Sequence, residues 1–201
     1  MSVDLWTIEK ALGTEGFNCI CGVDEAGRGP LAGPVYAAAV ILPPGAYIPE
    51  LNDSKKLSAK KRERLFGEIT DIAVSFAIAS ADHNEIDRLN ILGATYLAMN
   101  RAIGGLERKI DIALIDGNRN TGIEYRSRCV IGGDGKSALI AAASILAKVS
   151  RDEYMVKISE KYPQYGFERH KGYGTKLHYE KLREYGPCQI HRKSFLKGII
   201  S

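Results

Sequence analysis

The stretch from residue 19 to residue 42 constrains the fold of this 201-residue chain more than any other part of it. Two β-rich runs, 19 to 25 and 34 to 42, flank the tight connection AlaGlyArgGlyProLeuAlaGly, a pattern that predicts a hairpin. The first run leaves apolar sequence to end on Asp24 and Glu25, and an arginine between glycines follows at once. Adjacent carboxylates repel and raise each other's pKa. A divalent cation is the commonest way to remove that cost, so a strand ending like this reads as one wall of an active site.

The remaining periodicity is that of an α/β protein. Ser58 is placed to cap a helix over 58 to 69, and the β-rich run 72 to 79 reads as a third strand. Helical spacing spans 83 to 103 and stops at Gly104 and Gly105. Residues 110 to 117 form a second strand ending on an aspartate, Asp116, and 123 to 130 a short fifth strand. A long helix follows from Ser137 to Lys161, and another near 175 to 185. An antiparallel start followed by strands alternating with helices predicts a mixed five-stranded sheet flanked by helices. Sites in such sheets gather at strand ends, where Asp24, Glu25 and Asp116 all stand. With no repeat and no low-complexity linker, residues 18 to 201 read as one domain, helical from about 160 onward. Residues 1 to 17 carry no motif.

Composition excludes several classes. At 45% hydrophobic and 26% charged, the chain has the make-up of an ordinary soluble globule. Its start has neither a basic region nor an apolar core, unlike a secretory signal. The apolar runs 36 to 42 and 138 to 147 fall short of the roughly 18 residues of a membrane span, so a cytoplasmic location is expected. Cys19, Cys21, Cys129 and Cys188 match no zinc spacing and read as reduced structural thiols. From Lys148 onward there are 12 Lys and Arg against 6 Asp and Glu, together with six of the ten tyrosines. Basic groups among aromatics suit a nucleic-acid surface, and solvated helix faces explain them equally well.

Asp24, Glu25, Asp116 and Asp134 each lie beside a glycine or a turn. Oxygen-only ligands of this kind suit Mg2+ or Mn2+. Two such ions roughly 3.5–4 Å apart clamp the attacking and leaving oxygens of an in-line phosphoryl displacement. Strand alternation would send Asp24 and Glu25 to opposite faces unless the strand has turned, or unless Glu25 acts through its carbonyl. Turn and capping carboxylates remain the other reading of these four residues.

A resemblance separates those readings. GlyValAspGluAlaGlyArgGlyProLeuAlaGlyProVal (22 to 35) resembles the signature of ribonuclease HII, the type 2 ribonuclease H family. The likeness continues through 52 to 58, LeuIleAspGlyAsn (114 to 118), GlyGlyAspGlyLys (132 to 136), 141 to 152, HisLysGlyTyrGlyThrLys (170 to 176) and HisArgLysSerPhe (191 to 195). It implies a ribonuclease H-like fold with a helical C-terminal extension. The implied activity is an endonuclease on the RNA strand of RNA–DNA hybrids that also incises 5′ of single ribonucleotides in duplex DNA, leaving 3′-hydroxyl and 5′-phosphate ends, as in ribonucleotide removal.

The family's catalytic, metal-binding set falls on Asp24, Glu25, Asp116 and Asp134, with two Mg2+ or Mn2+ ions expected alongside substrate. Gly27, Arg28 and Gly29 match the motif that reads the 2′-hydroxyl through its backbone, and Tyr173 the tyrosine that packs on the sugar after the scissile junction. Lys55, Lys148 and Arg151 match basic positions suited to phosphates, with Asp152 or Glu153 as rival salt-bridge partners. Local hydrogen bonding is the expected role of His170, His178 and His191. Expected partners are RNA–DNA hybrid and ribonucleotide-containing duplex, with no membrane, for a monomer. The rival readings are a ribonuclease HIII-like hybrid nuclease, disfavoured because 17 residues leave no room for that family's extra N-terminal domain, and a non-catalytic hybrid-binding module.

Overall fold

Apolar strands that carry small side chains on both faces need cover on both faces, and the architecture supplies it. The structure, a computed structural model, describes residues 4–51 and 57–198. Strand β1 (Ile20–Ala26) pairs antiparallel with β2 (Val35–Ile41), which pairs antiparallel with β3 (Ser75–Ala81). On its other side β1 pairs parallel with β4 (Ile112–Asp116), and β4 with β5 (Ser127–Val130). The order is β3-β2-β1-β4-β5, the expected mixed five-stranded sheet.

Alternation along β2 splits the interior in two. Ala38 and Val40 join a core with Ala142, Leu146 and the helix α2 (Ala59–Ile72) residues Leu65 and Ile69. Ala37, Ala39 and Ile41 face Ala94, Ala98 and Ala102 of α3 (His83–Gly104). The helix on the first face is α4 (Ala138–Ser159), capped by the Ser137 hydroxyl on the Ile140 amide.

Three expectations change in detail. The stretch 83 to 103 is helical but interrupted, since Asn90 has φ 59° and ψ 171°. Its side-chain oxygen accepts from the amides of Leu92 and Gly93, so it ends one helix and caps the next. The fifth strand spans only Ser127–Val130, because Asn120 turns the preceding loop by bonding Ser127. The motif-free start contains α1 (Thr7–Thr14), whose Leu12 is buried with Leu114, Val130 and Ile140. Glu9 of α1 is also buried, and the Ser137 hydroxyl donates to it at 2.5 Å.

Beyond α4 the chain forms α5 (Phe167–His170) and α6 (Lys176–Tyr185). A separate core of Leu31, Ala32, Met155, Tyr165, Phe167 and Leu182 ties this extension to the loop after β1. No helix among the described residues is long and apolar enough to cross a membrane.

Candidate active site

Parallel pairing of β1 with β4 matches Val23 to Ile115. The next residues, Asp24 and Asp116, are therefore neighbours at the C-terminal ends of adjacent central strands. Asp24, Glu25 and Asp116 line one cleft of about 370 Å³, together with Ser144, Lys148 and Tyr173. Glu25 thus faces the same cleft as Asp24 despite strand alternation, and its carboxylate is drawn toward the Arg28 guanidinium at 3.2 Å.

Asp24 is only 6% exposed. Its Oδ1 accepts the Glu25 amide at 2.7 Å, and the Ser144 side chain lies beside its carboxylate. Burial, then the charges of Glu25 and Asp116, push its pKa well above the usual carboxylate range. Burial also raises Glu25, with Arg28 opposing the rise. Among the described residues no cationic side chain pairs with Asp24 within salt-bridge distance. A buried carboxylate beside two others, with no cation paired to it, suits a hard divalent cation.

Asp134 sits in a 3-10 turn, Gly133–Gly135, and is 9% exposed. Asp116 positions that turn, because its Oδ1 accepts the Gly133 amide at 2.7 Å. The cleft itself brings together Asp24, Glu25 and Asp116, with Asp134 one residue beyond that bond. Among the described residues no group of three or more Asp, Glu, His or Cys side chains stands at metal-ligand spacing.

The loop after β1 forms the rim. Gly27 has φ +98°, and a Cβ there would lie 1.9 Å from Arg151 Nε. Only glycine meets both conditions. Gly29 faces the Tyr173 ring, where an added Cβ would lie 3.8 Å from Cε1, and Tyr173 is 42% exposed. Arg28 lies half exposed against Glu25.

The basic residues divide. Lys148 lines the cleft while its Nζ bonds Asp152 at 2.7 Å. Lys55 lies outside the described residues. The phosphate contact expected of Arg151 is corrected: its side chain is fully buried and donates to the carbonyls of Pro34 and Ala32 at 3.0 and 3.3 Å. Its guanidinium is occupied beneath the rim, not presented to solvent.

The histidines are used locally. His170 Nε2 bonds the Tyr165 carbonyl, His178 Nδ1 the Tyr173 carbonyl, and His178 Nε2 meets His191 Nε2 at 3.0 Å. Burial brings His178 and His191 down to about 4, so both are neutral at physiological pH. The four cysteines are free thiols, and burial pushes Cys21 up to about 12.

Sequence reasoning missed three residues of this region. Ser144 lies beside Asp24, and its signals were a lone hydroxyl in an alanine-rich helix and its place in the family-like stretch 141 to 152. Arg62 of α2 lines the cleft from a helix whose sequence carries no sign of a site. Arg192 is fully buried behind the rim loop. Arg62, Lys148, Arg169 and Lys171 also line an adjoining groove of about 670 Å³, interleaved with Glu63, Asp152, Glu153 and Glu160.

The family model described as ribonuclease HII matches residues 21–197. A relative named ribonuclease HII from Caldicellulosiruptor bescii is 56% identical over 194 residues, covering 96% of this chain and 94% of its own. Among solved structures, ribonuclease H2 from Pyrococcus horikoshii OT3 is similar with a TM-score of 0.73 at 25% identity, covering 88% of this chain and 93% of that one. The ribonuclease HII solved in complex with PCNA from Archaeoglobus fulgidus is similar with a TM-score of 0.70 at 26% identity, covering 89% and 94%.

Proposed function

This chain belongs to the ribonuclease HII family and is a ribonuclease H endonuclease; on that premise we propose that it cuts the RNA strand of RNA–DNA hybrids and incises 5′ of a single ribonucleotide in duplex DNA. The products are a 3′-hydroxyl and a 5′-phosphate. The observation that carries this reading is a single cleft lined by Asp24, Glu25 and Asp116, with Gly27 at its rim and Tyr173 across it.

Asp24, Glu25, Asp116 and Asp134 are the residues that would hold two Mg2+ or Mn2+ ions, which would supply a water activated for attack and offset the charge developing on the phosphate. The Ser144 hydroxyl beside Asp24 offsets a small part of the cost of burying its charge. Arg28 offsets part of the charge of Glu25. The amides of Gly27, Arg28 and Gly29 read the 2′-hydroxyl, the group that distinguishes RNA from DNA, and glycine permits the close approach this needs. Tyr173, exposed beside Gly29, packs on the sugar that follows the junction. Lys148 and Arg62 hold phosphates along the cleft, so affinity falls with salt.

A duplex DNA carrying one ribonucleotide should be cut 5′ of it in Mg2+ or Mn2+ and left whole in excess chelator. Full cleavage in chelator, or none at the ribonucleotide with either metal, would overturn the reading. Tyr173→Ala should slow cutting at an RNA-to-DNA junction about tenfold more than cutting within continuous RNA, in line with the roughly 1–3 kcal/mol of a stacked ring. Equal losses on the two substrates would remove its junction role.

A further inference from the structure

Two fully buried arginines lie behind the rim loop, and neither forms a salt bridge among the described residues. Arg192 donates through Nε to the Gly33 carbonyl at 2.9 Å, through Nη1 to that of Arg28 at 2.9 Å, and through Nη2 to that of Gly27 at 2.6 Å. Arg151 donates to Pro34 and Ala32. Five carbonyls between residues 27 and 34 are thus turned inward on two guanidiniums. Burying a cation without a counter-charge is expensive, so stability alone is a poor reason for this arrangement.

The direction of those carbonyls decides where the amides point. In a trans peptide the C=O of one residue and the N–H of the next point in opposite directions, and the structure has no cis peptide among the described residues. With the carbonyls of Gly27 and Arg28 aimed at Arg192, the amides of Arg28 and Gly29 must point away from it. Farther along, the loop's amides are spent: Leu31 donates to Gly172 and Gly33 to Ile190. Among the described residues no hydrogen bond uses the amides of Gly27, Arg28 or Gly29. The backbone of Arg192 is pinned too, its amide donating to Leu31 at 2.9 Å beside the bridge between Ala32 and His191.

We propose that Arg192, backed by Arg151, is a positioning residue for ribose selectivity: it clamps the inward carbonyls of the rim loop so that the amides of Arg28 and Gly29 are presented, already oriented, to a 2′-hydroxyl. This rests on the activity proposed above. The clamp needs a planar fork with several donors, which lysine lacks, so Arg192→Lys keeps the charge and loses the alignment.

The test compares two constants measured with Mg2+: KM for a duplex with one ribonucleotide, and the inhibition constant of the same duplex made entirely of deoxynucleotides. Arg192→Lys should raise KM at least tenfold and leave the inhibition constant within twofold, whereas Lys148→Ala should weaken both together. A folded Arg192→Lys protein with an unchanged ratio of the two constants overturns the clamp. Should that variant not fold, amide exchange in the unaltered protein decides. In chelator, the Arg28 and Gly29 amides should be protected by the ribonucleotide duplex and not by the all-deoxy duplex, and equal protection overturns the proposal. If the unaltered protein itself shows no preference for the ribonucleotide, the activity reading fails, and the positioning role falls with it.

Discussion

Asp24→Asn is expected to lower turnover at least about a hundredfold while making the metal-free protein more stable, a pairing that ordinary core substitutions do not produce. The loss follows from removing a ligand charge that would hold the cations facing the charge developing on the phosphate, an electrostatic contribution of the kind worth roughly 10²–10³ in rate. The gain follows from the burial of that charge. Asp24 is 6% exposed and faces Glu25 and Asp116, and its pKa is raised in the fold by burial and by those two carboxylates. A group whose folded pKa exceeds its unfolded value favours the fold in acid, and that contribution is lost as pH rises through the raised pKa. Above its unfolded pKa this raised carboxyl therefore costs the fold stability, a cost that asparagine removes. Melting in chelator should show the variant above wild type near pH 7, with the gap closing toward acid. Adding Mg2+ should then stabilise the wild type by mass action, by about 2.7 kcal/mol at a hundred times the dissociation constant, raising its midpoint and leaving the variant's nearly still. A variant that cuts at the wild-type rate, or that gains as much from Mg2+, would refute the role given to Asp24.

The acidic residues were legible because each stands where an apolar strand or a glycine turn ends, and a carboxylate there has no packing reason. Glu25 was harder. Alternation turned it away from the site, and only folded geometry shows it reaching the shared cleft beside Arg28. Arg151 and Lys148 lie three apart on a helix and were read as sharing a face. Yet one bonds Asp152 in a half-buried position, and the other passes beneath the rim loop. Helical spacing gives an angle about the axis, and cannot tell whether a loop from residue 27 to residue 34 crosses that face. Arg192 stood within the family-like motif HisArgLysSerPhe, yet its role was hidden for a related reason, since a charged residue in a basic C-terminal stretch reads as solvated. Its burial depends on carbonyls about 160 residues away in sequence. The break at Asn90 was hidden because apolar spacing continues through it, and an asparagine that leaves and recaps a helix keeps the periodicity intact. Helix α1 offered no motif, and its link to Ser137 spans most of the chain.

Gly22→Ala should be the most destabilising single-methyl change in the molecule, costing at least about 4 kcal/mol, the range reserved for severe core damage. Gly22 belongs to the family-like signature, yet it lies inside β1 and not in a turn. A glycine within a strand marks a place where another backbone comes close, and here a Cβ would fall 2.1 Å from the carbonyl carbon of Leu139 and 2.5 Å from the Ile140 nitrogen. Both obstacles are main chain, so no rotamer relieves them. The strand cannot yield either, because Gly22 is paired with Val40 on one side and Leu114 on the other. Helix α4 must retreat, and it carries Ser144, which lies beside Asp24. Stability and turnover should therefore fall together, with a melting midpoint lower by roughly 2–4 °C for each kcal/mol lost. Gly67→Ala supplies the contrast: a Cβ there meets nothing within 4 Å inside helix α2, so the same added methyl should stabilise by up to about 1 kcal/mol. Denaturant titration of the two variants separates the explanations. If Gly22→Ala falls within about 1 kcal/mol of wild type, well short of severe core damage, the close approach of α4 to the central strand is not what places Ser144 against Asp24.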